Sequence, residues 1–334
     1  MTSPADDPTR AARLARFQPL SGMAMPRFAG LASLMRLPVL SPEAAIAEPV
    51  EIGLFGIPFD SATTNRPGAR LGPRGVREQS ALMRLVNPAT GICPYELCAC
   101  ADLGDVAVNP VDVADTLGRI EAFAAPLRAA GLTLLAVGGD HLVSYPLLRT
   151  VAAGRPVGLI HIDAHSDTTD SYFGGAKLTH GTPFRRAIED GVLDPRRTVQ
   201  IGLRGTLYAR DERQWALDQG IRILDMERVI AEGLPAAVTE ARAVVGAGPT
   251  YLTFDIDSID PAFAPGTGTP EIGGFTSREA LFLLRGLRGL DLVGADLVEV
   301  APPLDPSGTT ALVGATIAFE LLCLLAEARA RRAG

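Results

Sequence analysis

The sequence is poor in histidine, in cysteine and in positive charge. Its 334 residues include four histidines and four cysteines, and 38 acidic side chains outnumber 31 basic ones, which gives a net charge of −7. A nucleic-acid-binding protein needs a basic face that neutralises phosphates, so this balance argues against a nucleic-acid partner. Hydrophobic residues make up 47% of the chain and charged residues 21%, which excludes a disordered protein and is ordinary for a globular one.

Long apolar runs and targeting signals are absent from the sequence pattern as well. We find no apolar stretch of the length that a membrane span requires, and we therefore expect no membrane partner. Residues 1–7, MTSPADD, lack the basic region and apolar core of a secretory signal, so we expect a cytoplasmic location. The cysteines form no C-x2-C pair, which favours reduced structural thiols over a zinc site. They are Cys93, Cys98, Cys100 and Cys323.

Strand and helix patterns alternate from Val50 onward. Apolar runs typical of strands covered on both faces lie at residues 52–57, 132–137, 157–162, 198–203, 250–254 and 292–298. Helical patterns lie at residues 75–85, 113–130, 209–220, 236–245, 277–287 and 316–331. The alternation predicts one doubly wound α/β domain over residues 49–334. Residues 1–48 lack clean periodicity and are predicted to be an extension that packs over neighbouring structure or another subunit.

All four histidines lie between residues 141 and 180, close to strand ends that carry aspartates. The sequence GGDH at 138–141 follows one predicted strand, DAHSD at 163–167 follows another, and a third runs into DID at 255–257. Ligands of open α/β sheets bind beyond the carboxyl ends of the strands. Residues at i, i+2 and i+4 of an extended segment point the same way, so we expect these side chains to converge.

The expected ligand set contains two imidazoles and four carboxylates. Four crowded negative charges repel one another unless cations neutralise them, and two divalent ions would balance them. The set is too rich in oxygen for structural zinc and too rich in nitrogen for magnesium; manganese fits best, and nickel, cobalt or iron stay open. Metals about 3.5–4 Å apart commonly bridge a hydroxide, so the predicted chemistry is hydrolysis.

These motifs resemble the ureohydrolase family of arginases and agmatinases. The resemblance rests on GGDH, on DAHSD, and on FDIDSIDP at 254–261 followed by PGTGTP at 265–270, and it extends from about Val50 to Ala326. Residues 21–38 resemble the N-terminal extension of the agmatinase and guanidino-acid-hydrolase branch. The family implies an αβα sandwich of three layers around a mostly parallel sheet of about eight strands. It also implies a small guanidino substrate and a homo-oligomer, either a trimer or a hexamer.

The resemblance assigns a role to each candidate residue. One metal would be held by His141, Asp163, Asp167 and Asp255. The other would be held by Asp163, His165, Asp255 and Asp257, so that Asp163 and Asp255 bridge the two ions. His180 matches the family's proton-shuttling histidine. Glu299 matches the carboxylate that grips the guanidinium, which a carboxylate can do through paired charge-assisted hydrogen bonds.

Other polar residues near these motifs have structural interpretations. His161 alternates with Asp163 but lies deeper in the strand, where a core or supporting role is at least as plausible as ligation. Asp140 and Asp260 are expected in turns or behind the ligands. Two arginines, Arg66 and Arg70, either bind a substrate carboxylate or form salt bridges.

Three substitutions relative to the family pattern remove hydroxyls near the predicted site. Leu142 stands where most relatives carry Ser or Thr, and Ala301 and Leu304 stand where they often carry Ser and Tyr. These three residues are our substrate-pocket candidates. We hypothesise that their apolar side chains favour a less polar or differently shaped guanidine compound.

The sequence therefore predicts a binuclear-metal amidinohydrolase. Metal-bound hydroxide would cleave a linear guanidino compound, such as 4-guanidinobutyrate or agmatine, to urea and an amine. An alternative is hydrolysis of another small or alkylated guanidine or biguanide, with nickel as the metal. An alternative of another class is a non-catalytic partner subunit of a hetero-oligomer, against which the complete ligand set argues. A deacetylase on a related fold is disfavoured because it would keep one zinc and lack the second aspartate pair.

Overall fold

The computed structural model describes residues 8–333. Its centre is a sheet of eight strands, which in chain order are β1 (Ile52–Gly56), β2 (Cys100–Asp105), β3 (Thr133–Val137), β4 (Val157–Ile162), β5 (Leu193–Ile201), β6 (Arg222–Leu224), β7 (Thr250–Asp255) and β8 (Leu292–Val298). All neighbouring pairs are parallel, in the order β2-β1-β3-β8-β7-β4-β5-β6. The carboxyl ends of all eight strands therefore meet at one edge.

Within residues 8–333, twelve α-helices connect and flank the strands. They are α1 (Pro8–Ala15), α2 (Pro42–Ala47), α3 (Gly72–Ser80), α4 (Pro94–Leu97), α5 (Val113–Ala129), α6 (Ser144–Ala152), α7 (Pro183–Glu189), α8 (Gln214–Gln219), α9 (Met226–Glu232), α10 (Leu234–Val245), α11 (Ser277–Gly286) and α12 (Thr309–Ala333).

Two apolar cores lie on the two faces of the sheet, because successive strand residues point to opposite faces. Leu135 and Val137 of β3 belong to the core that contains Leu322 of α12. Leu134 and Ala136 of the same strand belong to the core that contains Ile120 of α5. The three-layer αβα sandwich with a parallel sheet of eight strands is thus confirmed.

The six apolar runs of the sequence all become strands, but the pattern missed two edge strands. Strand β2 includes Asp102, which is buried because its carboxylate accepts hydrogen bonds from Arg77 (2.9 Å) and from the Leu34 N–H (2.7 Å). A satisfied buried carboxylate interrupts the apolar pattern without exposing the strand. Strand β6 has three residues, too few for any periodicity to be visible.

The described part of the extension, residues 8–48, packs on the rest of the chain. Phe17, Leu34 and Met35 are buried in the two cores. Met23 and Phe28 are instead 97% and 95% exposed. Residues 1–7, on which the expected absence of a secretory signal rests, lie outside the described residues. The division of the chain at residue 48 stays a prediction.

Helix α12 corrects one expectation from the sequence. By length and composition it is apolar enough to cross a membrane, so the statement that no stretch reaches that length is wrong. However, 78% of its most apolar window is buried inside the fold, where Leu321, Leu322 and Leu325 are fully covered. The apolar length of this helix is used to cover one face of the sheet.

Candidate metal centre and active-site cavity

His141 follows strand β3 after a turn in which position 139 can only be glycine. A Cβ on Gly139 would lie 1.5 Å from the carbonyl oxygen of Phe59, so no side chain fits there. Asp140 then caps a short 3-10 turn, and its Oδ1 accepts a hydrogen bond from the Leu142 N–H at 3.1 Å. The turn leaves His141 fully buried at the carboxyl edge of the sheet.

Strand β4 is followed by Asp163, His165 and Asp167, but these residues do not form an extended row. The chain bends directly after the strand, and Asp163 Oδ1 accepts the His165 N–H at 2.6 Å. Asp167 has a φ of +50°, in the left-handed region that few residues other than glycine adopt. The expected i, i+2, i+4 geometry is therefore wrong, and an aspartate-stabilised bend gathers the side chains instead.

Strand β7 uses a similar aspartate turn. Asp255 ends the strand, and its Oδ1 accepts the Asp257 N–H at 2.8 Å at the start of a 3-10 turn. Asp257 Oδ1 in turn accepts the Ala164 N–H at 3.2 Å. This bond ties the acidic turn after β7 to the one after β4.

Three carboxylate oxygens surround one nitrogen of His141. His141 Nδ1 lies 3.0 Å from Asp163 Oδ2, 3.0 Å from Asp167 Oδ2 and 3.1 Å from Asp255 Oδ2. All four side chains are buried. These are the four residues that the family resemblance assigns to one metal.

A second group of ligand atoms adjoins the first. His165 Nδ1 lies 3.0 Å from Asp257 Oδ2 and 3.5 Å from Asp163 Oδ1. Asp163 thus offers one oxygen to each group, as a bridging ligand would. The six expected ligands all lie in this cluster, and their division between two ions stays a prediction.

The protonation state of His141 provides a test of whether a cation fits. His141 Nε2 is 2.8 Å from Thr253 Oγ1, and the Thr253 hydroxyl donates to Asp296 Oδ1 at 2.5 Å. Thr253 Oγ1 can therefore only accept from Nε2–H, which leaves a lone pair on Nδ1 of the neutral ring. Nδ1 is buried and has no hydrogen-bond partner among the described residues. A lone pair and three carboxylate oxygens that converge in this way fit a divalent ion with mixed nitrogen and oxygen ligands.

The electrostatics of the cluster also favour a positive charge at this place. Burial, followed by the carboxylates of Asp257 and Asp163, raises the pKa of Asp255 well above its usual range. Burial lowers the pKa of His141, but the three carboxylates whose oxygens lie close to Nδ1 outweigh burial and raise that pKa well above its usual value. Protons or metal ions must compensate the crowded carboxylates, and metal binding releases the protons.

His161 supports this cluster. Its distances alone would allow it to share an ion with His141, Asp163 and Asp167. However, Nε2 lies 2.6 Å from Asp163 Oδ2, and Nδ1 lies 3.1 Å from the amide nitrogen of Gln200. Nε2 donates and Nδ1 accepts, so neither nitrogen of His161 is left for a metal.

His180 and Glu299 form a hydrogen-bonded pair beside the cluster. His180 Nδ1 lies 2.8 Å from Glu299 Oε1, and His180 Nε2 lies 2.7 Å from Thr64 Oγ1. Glu299 Oε1 also accepts the His141 N–H at 2.9 Å, whereas Oε2 is buried with no partner among the described residues. Glu299 has a φ of +64°, a strained conformation that is common at functional sites. Oε2 thus lacks a hydrogen-bond donor, and Glu299 is buried and does not itself line the cavity over the cluster.

The Glu299 carboxylate also raises the pKa of two neighbouring side chains, His180 and Asp140. Burial lowers the pKa of His180, but the Glu299 carboxylate raises it more, to about 9. Burial and the same carboxylate raise the pKa of Asp140 to about 8. The Glu299 carboxylate therefore favours a proton on His180 Nδ1, next to the cluster, while His180 Nε2 accepts the Thr64 N–H at 3.0 Å.

A cavity of about 320 Å³ opens over the cluster. Its lining combines candidate ligands with polar loop residues: Thr64, Asn65, Ala164, His165, Ser166, Asp167, Thr169, Tyr172, His180, Gly181, Arg204, Thr206, Leu207, Tyr208, Glu212, Arg213, Asp255, Asp257, Thr269, Pro270 and Glu271. This volume suits a small molecule.

Sequence reasoning missed Thr64, Arg204 and Arg213 in this lining. Each lies on a loop that follows a strand, Thr64 after β1 and both arginines after β5, so the strand-end rule could have found them. Arg204 donates to backbone carbonyls, including those of Asp257 (2.6 Å) and Glu271 (2.7 Å), and so joins the loops of the rim. The carboxylate nearest to Arg213 among the described residues is that of Asp225, 4.0 Å away.

The three substrate-pocket candidates lie elsewhere. Leu142 and Ala301 are fully buried, and Leu304 is partly buried. None of the three lines the cavity over the cluster. Leu142 packs in one of the apolar cores, so its side chain fills the interior of the protein.

Arg66 and Arg70, for which the sequence allowed two roles, both have structural partners. Arg66 donates to the carbonyls of Gly268 (3.1 Å) and Thr267 (2.8 Å) and so holds the 265–270 loop at the rim. Arg70 forms a salt bridge with Asp60. Arg70 therefore forms the salt bridge that was one of its two expected roles, whereas Arg66 pairs with backbone carbonyls instead.

Comparison with known proteins agrees with this geometry. The family model described as the arginase family matches residues 50–324. The chain belongs to the arginase family. The ureohydrolase assignment made from the three motifs is confirmed.

Relatives in the arginase family extend over nearly the whole chain. Guanidinopropionase of Pseudomonas aeruginosa is 58% identical, over 95% of this chain and 98% of that protein. Guanidinobutyrase of the same organism is 45% identical, over 92% and 96% respectively. Among solved structures, proclavaminate amidinohydrolase from Streptomyces clavuligerus has a TM-score of 0.84 and 38% identity, over 91% of this chain and 99% of that one.

This arginase-family member is accordingly a hydrolase that acts on C–N bonds of guanidino compounds. Enzymes of the family use a binuclear divalent metal centre, and the His and Asp cluster is a group of side chains that could bind metal. The predicted enzyme class is confirmed.

Proposed function

We propose that this enzyme hydrolyses a short guanidino acid to urea and an amino acid at a centre of two divalent metal ions. The observation that carries the proposal is the arrangement around Glu299. Its unpartnered Oε2 is buried on the same carboxylate that hydrogen bonds to His141 and His180. A site for a planar cation thereby adjoins the candidate metal ligands.

The side chains divide the reaction between them. When bound, the two ions supply Lewis acidity and an activated water molecule. Glu299 Oε2 accepts hydrogen bonds from the guanidinium and orients its central carbon towards the cluster. His180 donates Nδ1–H to Glu299 Oε1 and accepts the Thr64 N–H at Nε2, and from this position it can transfer a proton to the departing amine.

An acidic substrate is favoured over a basic one by Arg213. Arg204 uses its guanidinium on backbone carbonyls, whereas Arg213 lines the cavity with its nearest carboxylate 4.0 Å away. A substrate carboxylate is a natural partner for such a group. The names of guanidinopropionase and guanidinobutyrase point to the same class, with 3-guanidinopropionate first because that relative is 58% identical.

Agmatine is the second candidate, and two acidic side chains favour it. Glu212 and Glu271 also line the cavity and would attract the substrate's ammonium group. Glu212 already accepts the Tyr208 N–H at 2.6 Å, so its carboxylate is partly used. We therefore place agmatine behind the guanidino acids.

Manganese is our first choice of metal, with nickel or cobalt as alternatives, because the ligands are both imidazoles and carboxylates. We also propose a cytoplasmic enzyme that forms a homotrimer or homohexamer, in which the extension of residues 1–48 packs on neighbouring structure. A hetero-oligomer with a related chain is the alternative assembly.

Urea release from a substrate panel tests the proposal. The enzyme, loaded separately with Mn²⁺ and Ni²⁺, would be assayed with 3-guanidinopropionate, 4-guanidinobutyrate, agmatine and a small alkylated guanidine. We expect the highest kcat/KM for one of the two acids. Preference for agmatine or for the alkylated guanidine would overturn the substrate class, and release of no urea from any compound would overturn the proposed reaction.

A further inference from the structure

A row of four buried polar residues crosses the sheet behind the metal cluster. Asp296 of β8 is paired in register with Thr253 of β7, Thr253 with His161 of β4, and His161 with Gln200 of β5. All four side chains are fully buried. Strands covered on both faces normally carry apolar residues, so a continuous polar row needs a reason.

The row lies directly behind two of the candidate ligands. Thr253 precedes Asp255 by two residues, and His161 precedes Asp163 by two. Alternate residues of a strand share a face, so the row and the strand-end aspartates point to the same side of the sheet.

One arm of the row ends on His141. Thr253 Oγ1 faces His141 Nε2 at 2.8 Å and donates to Asp296 Oδ1 at 2.5 Å. The other oxygen of Asp296 accepts hydrogen bonds from Ser144 Oγ at 2.7 Å and Tyr251 Oη at 2.9 Å. Three hydroxyl donors therefore fix the Asp296 carboxylate, and through Thr253 it fixes the plane of the His141 ring.

The other arm ends on Asp163. Gln200 Nε2 lies 3.1 Å from His161 Nδ1 and donates to the Ser166 carbonyl at 2.5 Å. His161 Nε2 then lies 2.6 Å from Asp163 Oδ2. Because Gln200 makes Nδ1 the acceptor, His161 presents Nε2–H to the carboxylate.

We propose that Asp296, Thr253, His161 and Gln200 form a positioning layer for the metal centre, with one arm that acts on a single ion and another that acts on both. The Asp296–Thr253 arm orients His141 and therefore stabilises the ion at the His141 position. The Gln200–His161 arm orients Asp163, which offers an oxygen to both groups, and therefore stabilises both ions. This inference rests on the two-metal centre of the proposed function.

The physical reason is the orientation of the ligand lone pairs. A histidine ligand whose other nitrogen donates to a fixed acceptor keeps its ring orientation and gains basicity, and losing such a partner typically weakens metal affinity about 10–100-fold. The arm through Thr253 contacts no candidate ligand except His141 among the described residues. Its loss should therefore affect one ion more than the other.

The test is metal binding by Thr253→Val, a change of nearly constant shape. Protein loaded with Mn²⁺ would be dialysed against a graded chelator series, with metal content measured per chain and the Mn²⁺ electron paramagnetic resonance spectrum recorded. We expect one ion to be lost at about 10–100-fold lower chelator strength than in the wild type, with the coupled-pair spectrum replaced by that of isolated Mn²⁺. Thr253→Ser keeps the hydroxyl and should retain both ions.

The matched control is Thr250→Val on the same strand. Thr250 is also fully buried, but its hydroxyl donates to the Gly248 carbonyl at 3.0 Å, away from the cluster. His161→Phe should release both ions together. Thermal unfolding of each metal-free variant identifies any that fail to fold; if Thr253→Val does, Asp296→Asn takes its place.

Several outcomes would overturn the inference. These are wild-type affinity for both ions in Thr253→Val, equal loss in Thr250→Val, or equal loss of both ions in Thr253→Val. If the wild type binds a single ion, the two-metal proposal fails. The positioning layer is then judged by whether Thr253→Val, and not Thr250→Val, weakens that one ion.

Discussion

The floor and the mouth of the active-site cavity are built in different ways. The floor consists of side chains in short turns directly after β3, β4, β7 and β8, which are adjacent in the sheet. Most of these side chains are buried and hydrogen bonded to backbone or to the polar row behind them. The mouth includes residues 204–213, a segment between β5 and α8 in which Tyr208 is 90% exposed.

This difference in construction implies that one part of the cavity determines the reaction and the other determines the choice of substrate. Side chains held by a sheet keep the geometry that a metal centre and a guanidinium site require, whereas loop residues can change without disturbing it. The floor is therefore expected to define amidinohydrolase chemistry, and the mouth to choose among guanidino compounds. Substitutions in the two regions should have separable effects.

The largest effect is expected for Asp163→Asn. Asparagine cannot supply the charge that two ions share, so we expect loss of both ions and a fall in kcat of at least about 1000-fold. Metal analysis and urea release measure the two effects. Asp218→Asn, an exposed helix position, is the matched control and should leave both unchanged.

A smaller but still large effect is expected for Glu299→Gln. The glutamine oxygen can still accept the His141 N–H, so metal content should stay at the wild-type level. Loss of the charge that grips the guanidinium should lower kcat/KM about 100-fold. Loss of metal in this variant would contradict the separate role given to Glu299.

The same variant should move the pH profile in a defined direction. Glu299 raises the pKa of His180 to about 9, and the proposed role of His180 requires its protonated form. Activity of the wild type should therefore fall as the pH rises through about 9. Without the Glu299 charge the pKa of His180 falls, so the alkaline limb in Glu299→Gln should shift to lower pH. A shift of the alkaline limb to higher pH in Glu299→Gln would contradict the effect that we assign to Glu299 on the pKa of His180.

Arg213→Gln tests the mouth alone. We expect KM for 3-guanidinopropionate to rise about 10-fold, with kcat and metal content nearly unchanged, because one charge-assisted hydrogen bond at the distal end is lost. KM for agmatine should stay the same or fall. Arg210→Gln, an exposed neighbour outside the cavity lining, is the control. Equal changes in KM for 3-guanidinopropionate and for agmatine would show that Arg213 does not select the substrate.

The smallest effect is expected for Ala301→Ser. This change restores a hydroxyl of the family pattern, but Ala301 is fully buried and does not line the cavity. We expect the ratio of kcat/KM between 4-guanidinobutyrate and 3-guanidinopropionate to change less than about twofold. A larger change would restore the hypothesis that the missing hydroxyls set selectivity.

The sequence predicted the floor of the cavity far better than its mouth. His141, Asp163 and Asp255 stand next to long apolar strands, so strand-end logic placed them near one another. The turns themselves were not predictable from alternation, because Asp163 and Asp255 bend the backbone through their own side chains. Local sequence patterns show where a strand ends, but they do not show the side-chain hydrogen bonds that shape the turn after it.

The residues of the mouth were missed for a different reason. Thr64 and Arg213 are distant in sequence from the motifs and meet the cavity only through the three-dimensional fold. Leu142 shows the opposite error. It is adjacent to a ligand in sequence, yet its side chain points into an apolar core. Nearness in sequence to a catalytic motif does not establish nearness to the substrate.

The most direct test of the two-metal floor is a crystal structure of the Mn²⁺-loaded enzyme with anomalous diffraction measured at the manganese edge. We predict two anomalous peaks per chain about 3.5–4 Å apart, one bonded to His141 Nδ1 and the other to His165 Nδ1. A single peak, or two peaks away from these nitrogens, would contradict the account.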